Sequence, residues 1–148
     1  MSRIATIGKL LLVIPLLAGP FAPTPTANAQ EDVTATVPFE FSVNNQRLAP
    51  GKYQIKSVSD HFLVLRDAST GKSQFLMVSP AWVDVTQSRG RLVFHACGGR
   101  HYLSQIWIQG KNVYSNLMQT RSERQAMIAA KMPSSPVNVE VALSTPHH

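Results

Sequence analysis

The chain of 148 residues has one cysteine, eight acidic residues and 7% aromatic residues, and only 15% of it is charged. A single cysteine cannot close an intramolecular disulfide, which excludes a disulfide-stapled miniprotein. A charge content well below the roughly 25% of an average globular domain argues against a long solvated helix or a coiled coil. Like charges nowhere gather into a block, so nucleic acid is not expected as a partner. The chain has no P-loop, GxGxxG, HExxH or GxSxG motif and no repeat of fixed period. No catalytic constellation is identifiable, no cofactor is implied, and the chain does not read as an enzyme. What is present is 44% apolar content, near the globular average, over a length that suits one domain.

The first thirty residues read as an address. Arg3 and Lys9 precede an apolar run over residues 10–18, and a Pro-, Thr- and Ala-rich stretch ends in Ala27-Asn28-Ala29. This is the basic n-region, short h-region and A-x-A cleavage site of a secretory signal peptide. The apolar run is about half of the roughly 20 residues that span a bilayer, and Pro15 interrupts it, so no transmembrane anchor is expected in the mature form. No cysteine follows for lipid attachment, and twin arginines are absent, which favours the general secretory route. Residues 1–29 are expected to be cleaved after Ala29, giving a periplasmic or secreted protein. Removing 29 of 148 residues leaves 119 and takes Arg3 and Lys9 away, lowering the net charge from +6 to +4. That excess gives mild attraction to anionic envelope polymers or lipid headgroups.

Residues 30–144 are expected to form a single β-rich domain, with 145–148 as a flexible tail. Val33, Ala35, Val37, Phe39, Phe41 and Val43 alternate with more polar residues, the period of a half-buried strand. Pro38 removes a ladder donor, so this strand is either an edge or broken there. Asn44-Asn45-Gln46 is a turn, and Pro50-Gly51 suits a type II turn with glycine at positive φ. Strands follow over residues 52–58, 61–66 and 73–78, separated by Asp60-His61 and by a hairpin loop from Asp67 to Gly71. Pro80 is expected to bend the chain. Gly98-Gly99 is a two-residue hairpin turn that pairs Cys97 with Arg100, His95 with Tyr102 and Phe94 with Leu103. In that register Leu92, Phe94, Leu103, Gln105 and Trp107 share one face; Val93, His95, Cys97, Tyr102, Ser104 and Ile106 share the other. Both faces are partly apolar, so the hairpin is expected to be central and covered on both sides. Thr120 and Glu123 form a capping box for a short helix over residues 121–131, and Val137, Val139, Val141 and Leu143 alternate along a last strand. The sum is a mainly β fold: an antiparallel β-sandwich or small open barrel of about seven or eight strands, with one short helix near the C-terminus. The strands look too short for an outer-membrane barrel.

Val37-Pro38-Phe39-Glu40-Phe41, Leu48-Ala49-Pro50-Gly51-Lys52-Tyr53, Leu92-Val93-Phe94-His95, Tyr102-Leu103-Ser104-Gln105-Ile106-Trp107 and Ser122-Glu123-Arg124 occur in one order. This resembles a group of uncharacterised secreted bacterial β-domain proteins with the pattern VPFxF, LPAGxY, LVFxRYGDxYFLSQVW and SxxER. The resemblance covers most of the mature chain and implies a β fold and an exported location, but no activity. The chain departs from the pattern at Cys97-Gly98-Gly99 and at His101.

Three groups of residues merit weighing for chemistry. His95, Cys97 and His101 have the residue types of a metal or thiol site, but the two-residue turn places His101 on the opposite face, and no fourth ligand is evident. Cys97 as a nucleophile lacks a third member to orient His95. Trp82, Tyr102 and Trp107 are candidates for an aromatic ligand- or glycan-binding face, against the commoner role of such residues in a core. Most of the eight carboxylates fall in predicted turns, at termini or on outward positions; nothing in the sequence pairs any two of them, and they read as solvated. The leading expectation is therefore a non-catalytic structural or protein-binding module of the envelope, with the edge strand over residues 33–43 open to a partner strand. A ligand- or glycan-binding module and a metal- or redox-linked protein are the alternatives.

Overall fold

A computed structural model describes residues 32–131 and 136–145. The expected signal peptide with its Ala27–Ala29 cleavage site lies outside the described residues, as does most of the expected tail. Among the described residues, ten strands and one helix follow in chain order: β1 (Val33–Val37), β2 (Phe41–Val43), β3 (Gln46–Leu48), β4 (Gly51–Ser59), β5 (Phe62–Asp67), β6 (Ser73–Trp82), β7 (Arg91–Cys97), β8 (Arg100–Trp107), β9 (Val113–Leu117), α1 (Arg121–Ala129) and β10 (Val137–Ser144). The fold is mainly β and antiparallel, and the barrel is closed. Eight strands run round it in the order β1-β4-β5-β6-β9-β8-β7-β10 and back to β1. The hairpin β2–β3 is added to it through a parallel pairing of β2 with β8.

Alternation builds the wall. Tyr53, Ile55, Leu63, Leu65, Leu76 and Val78 point inward and are buried, while Lys52, Gln54, Lys56 and Arg66 point out. The interior is apolar, unlike the polar, water-filled lumen of a bilayer-spanning channel barrel. One end is filled by aromatic rings: Phe94 meets Phe39 and Phe41 edge-on at 5.2 and 5.3 Å, and Phe41 meets Tyr53 at 5.2 Å. Tyr53 donates its hydroxyl to the Ala49 carbonyl at 2.5 Å, so its buried polar tip is satisfied.

The chain does break at Pro38, but neither half is an open edge. β1 lies between β4 and β10, and β2 between β3 and β8. The partner-strand role expected for residues 33–43 is therefore corrected, because closure of the barrel consumes both sides of β1. Gly51 is not at positive φ and simply opens β4; the left-handed residues here are Asn44 and Asn45, at φ 47° and 66°, which make the two-residue turn between β2 and β3. Pro80 does not end its strand. β5 pairs with β6 only as far as Met77, so beyond it β6 has a ladder on the β9 side alone and tolerates a residue without an N–H. Strand β9 and the short β3 are additions to the expected set, and α1 ends two residues earlier than expected, at Ala129.

The Gly98-Gly99 turn, with φ of 56° and 76°, sets the expected register at Cys97–Arg100, His95–Tyr102 and Phe94–Leu103. Beyond that the faces depart from expectation. A bulge inserts Ser104 opposite Val93 and Phe94, so Leu92 pairs with Ile106 and Ile106 turns into the core rather than outward. The Ser104 hydroxyl donates to the Val93 carbonyl at 3.0 Å, occupying the acceptor at the irregularity. Val93, Cys97 and Tyr102, on the outer face, are buried, and α1 packs against β7. The hairpin is thus covered on both sides.

Candidate functional site

The end of the barrel opposite the aromatic cluster is not filled. There β4, β6 and β9 present the small side chains of Ser57, Ser59, Pro80 and Ser115 to the opening. The result is a cavity of about 190 Å³, open to solvent. Its floor and walls are Leu63, Ile106, Ile108 and Val113, with Asp60, His61 and Lys111 also lining it, and Trp82. Trp82 is 74% exposed and is the last residue of β6, where it pairs with Val113. An eight-stranded barrel is just wide enough either to fill with side chains or to hold one small ligand; this one does the first at one end and leaves room for the second at the other. The volume is slightly above the roughly 150 Å³ of an apolar cavity that admits benzene.

The three aromatic residues singled out from the sequence do not form a common face. Trp82 reaches the mouth. Tyr102 is buried on the outer face of β8. Trp107 stacks on Tyr114 at 4.0 Å and 10°, donates Nε1–H to Gln105 Oε1 at 3.0 Å, and is covered by the Arg91 guanidinium 4.4 Å from its ring centre. The aromatic platform is therefore corrected to a single tryptophan at a cavity whose other apolar walls are aliphatic. Ile106 and Ile108 line that cavity only because the Ser104 bulge turns them inward, which alternation alone does not show.

His95, Cys97 and His101 also separate. His101 stacks on Phe39 at 4.0 Å, at the aromatic end. His95 Nδ1 meets Glu123 Oε1 at 2.6 Å. Thr120 Oγ1 accepts from the Glu123 backbone N–H at 3.2 Å, the expected half of the capping box; the Glu123 side chain goes to His95 instead of back to the helix start. Glu123 is 3% exposed and not a solvated carboxylate. A carboxylate on an imidazole is the orienting half of a catalytic pair, but the nearby thiol does not complete it. Cys97 is buried, and burial, with the Glu123 charge second, pushes its thiol up from the ordinary value. It stays protonated near neutral pH and is a poor nucleophile. Among the described residues no three of His, Cys, Asp and Glu converge on a site that could hold a metal ion.

Comparisons with protein-family models, curated proteins and solved structures find no match.

Proposed function

We propose that the protein is an exported, non-catalytic binding barrel whose mouth takes an apolar group, one aromatic ring or a short acyl chain, carried by a molecule with a polar head. The observation that carries this reading is the open cavity walled by Leu63, Ile106, Ile108 and Val113, with Trp82 at its edge and Asp60, His61 and Lys111 lining it as well. Such a site joins apolar walls to a few convergent polar groups, the usual composition of a small-molecule pocket. The basic and apolar leader of residues 1–29 supports export to the periplasm or beyond, and the resemblance to secreted bacterial β-domain proteins agrees with it.

Methyl NMR of the full chain with indole and with octanoate tests the pocket. Shifts confined to Leu63, Ile106, Ile108 and Val113 are expected, together with quenching of Trp82 that disappears in Trp82→Phe. Ser115→Leu, which fills the mouth, should abolish both responses while leaving the far-ultraviolet spectrum unchanged. No shift with either compound, or an undiminished response in Ser115→Leu, overturns the proposal.

A further inference from the structure

The wall formed by β4, β5 and β6 has an unusual outer surface. Its outward residues are Lys52, Gln54, Lys56 and Val58 on β4; Phe62, Val64 and Arg66 on β5; and Ser73, Phe75, Met77, Ser79 and Ala81 on β6. Phe75, Met77, Val58 and Phe62 are 68%, 58%, 53% and 43% exposed. They adjoin one another across the ladder, because Phe62 pairs with Met77 and Val64 with Phe75. Lys56 pairs with Val64, and Arg66 lies one inward residue further along β5, so cations border the apolar rows. None of these outward positions carries a carboxylate. The opposite wall differs: β7 lies four strands from β5 in either direction around the barrel, and α1 covers it. One wall is sheathed by a helix and the other is bare, apolar and positive.

We infer that this wall docks on an anionic lipid surface. Exposed apolar side chains enter the boundary between headgroups and acyl chains, while lysine and arginine lay their stems along that surface and keep their charges at the lipid phosphates. A second copy of the chain fits less well, because a two-fold contact through this wall would set Lys52, Lys56 and Arg66 near their own counterparts. Nucleic acid would use the cations and Phe75 but has no use for Met77, Val58 and Val64. Phe62 directly follows His61, which lines the mouth, so the docked wall runs up to the cavity. The docking itself stands independently of what that cavity binds.

Flotation of the full chain with phosphatidylcholine vesicles and with mixed phosphatidylcholine–phosphatidylglycerol vesicles tests the inference. All variants keep residues 1–29, so any contribution of that segment is common to them. Binding to the mixed vesicles is expected to exceed binding to the neutral ones and to fall with salt. Lys52→Gln/Lys56→Gln/Arg66→Gln should weaken it about a hundredfold at low salt, about fivefold per cation. Phe75→Ser/Met77→Ser should weaken it by about tenfold or more at any salt. As a second measurement, Phe75→Trp should shift its fluorescence to the blue on the mixed vesicles, and Arg124→Trp on the exposed face of α1 should not. Equal binding of wild type and both patch variants, or a blue shift at position 124 rather than 75, overturns the inference. So does retention on double-stranded DNA without vesicle binding, or a dimer that the same substitutions dissociate without vesicle binding.

Discussion

Glu123 sits at the helix position that its spacing from Thr120 indicates, yet its side chain serves the sheet, joining α1 to β7 through His95. Glu123→Ala removes a charged hydrogen bond and leaves the His95 ring without its partner. A loss of about 1.5–3 kcal/mol in denaturant unfolding is expected. The same carboxylate helps hold the Cys97 thiol up, after burial itself. A thiol whose folded value is raised stabilises the fold fully below its unfolded value, and that contribution is lost as pH rises above it. Cys97 should therefore react slowly with a disulfide reagent at neutral pH and at the rate of an open thiol in denaturant. A fast native reaction would contradict its burial. Asp67 behaves in the opposite sense. Hydrogen bonds from the Ser69 hydroxyl and backbone N–H, and from Thr70, hold its carboxyl down to about 2. Its contribution is present above the ordinary carboxylate range and is lost as pH falls toward 2. Asp67→Asn keeps an acceptor but not the charge, so thermal melts between pH 5 and 2 should show a shallower acid decline than wild type.

Gly90 shows how the elements meet. A Cβ there would lie 3.0 Å from Leu143 Cβ, 3.2 Å from the Trp107 carbonyl oxygen and 3.3 Å from the Gln109 nitrogen, while the Gly90 carbonyl accepts from Leu143 N–H at 2.9 Å. Two of those three neighbours are backbone, which cannot move aside cheaply. Gly90→Ala should cost about 1–3 kcal/mol by thermal unfolding, as overpacking does. Nothing around Gly90 in the sequence announces this, because β8 and β10 reach it from far along the chain. The hairpin of β7 and β8 was legible as far as Phe94, since a Gly-Gly turn fixes register through local backbone twist alone. Beyond Phe94 it was not, because an inserted Ser104 reverses every later side chain, and strict alternation has no place for it. The three-residue spacing of Leu103 and Ile106 is the mark of that insertion. Strand β9 was obscured by its own composition: Val113-Tyr114-Ser115-Asn116-Leu117 puts a serine inside, where the cavity accepts it.

Across the whole molecule, alternation announced a two-layered β fold but not how it closes, since a sandwich and a barrel share the same period. Closure depends on a gap between β6 and β8. β9 fills one part of that gap. At the other, β2 pairs with β8, the Asn44 side-chain amide donates to the Phe75 carbonyl at 3.0 Å and Gln74 donates to the Val43 carbonyl at 3.2 Å. Phe94 of β7, fully buried, packs edge-on against Phe39 and Phe41 at this seam, and Phe41 in turn meets Tyr53 of β4. Phe94→Ala should cost about 3–5 kcal/mol, measured by urea unfolding, with fluorescence and circular dichroism giving one coincident transition. The placement of β1 between β4 and β10 carries a consequence for how the chain is made. Its pairing with β10 includes a hydrogen bond from the Thr34 hydroxyl to the Ser144 carbonyl, across 110 positions. Until the last eight-residue strand has left the ribosome, β1 and β7 each have a bare edge and the cylinder has no means of shutting. Contacts this distant form slowly, so the polypeptide stays open for the whole of its synthesis. For the export we propose, that is the state in which a secretory channel would have to receive it.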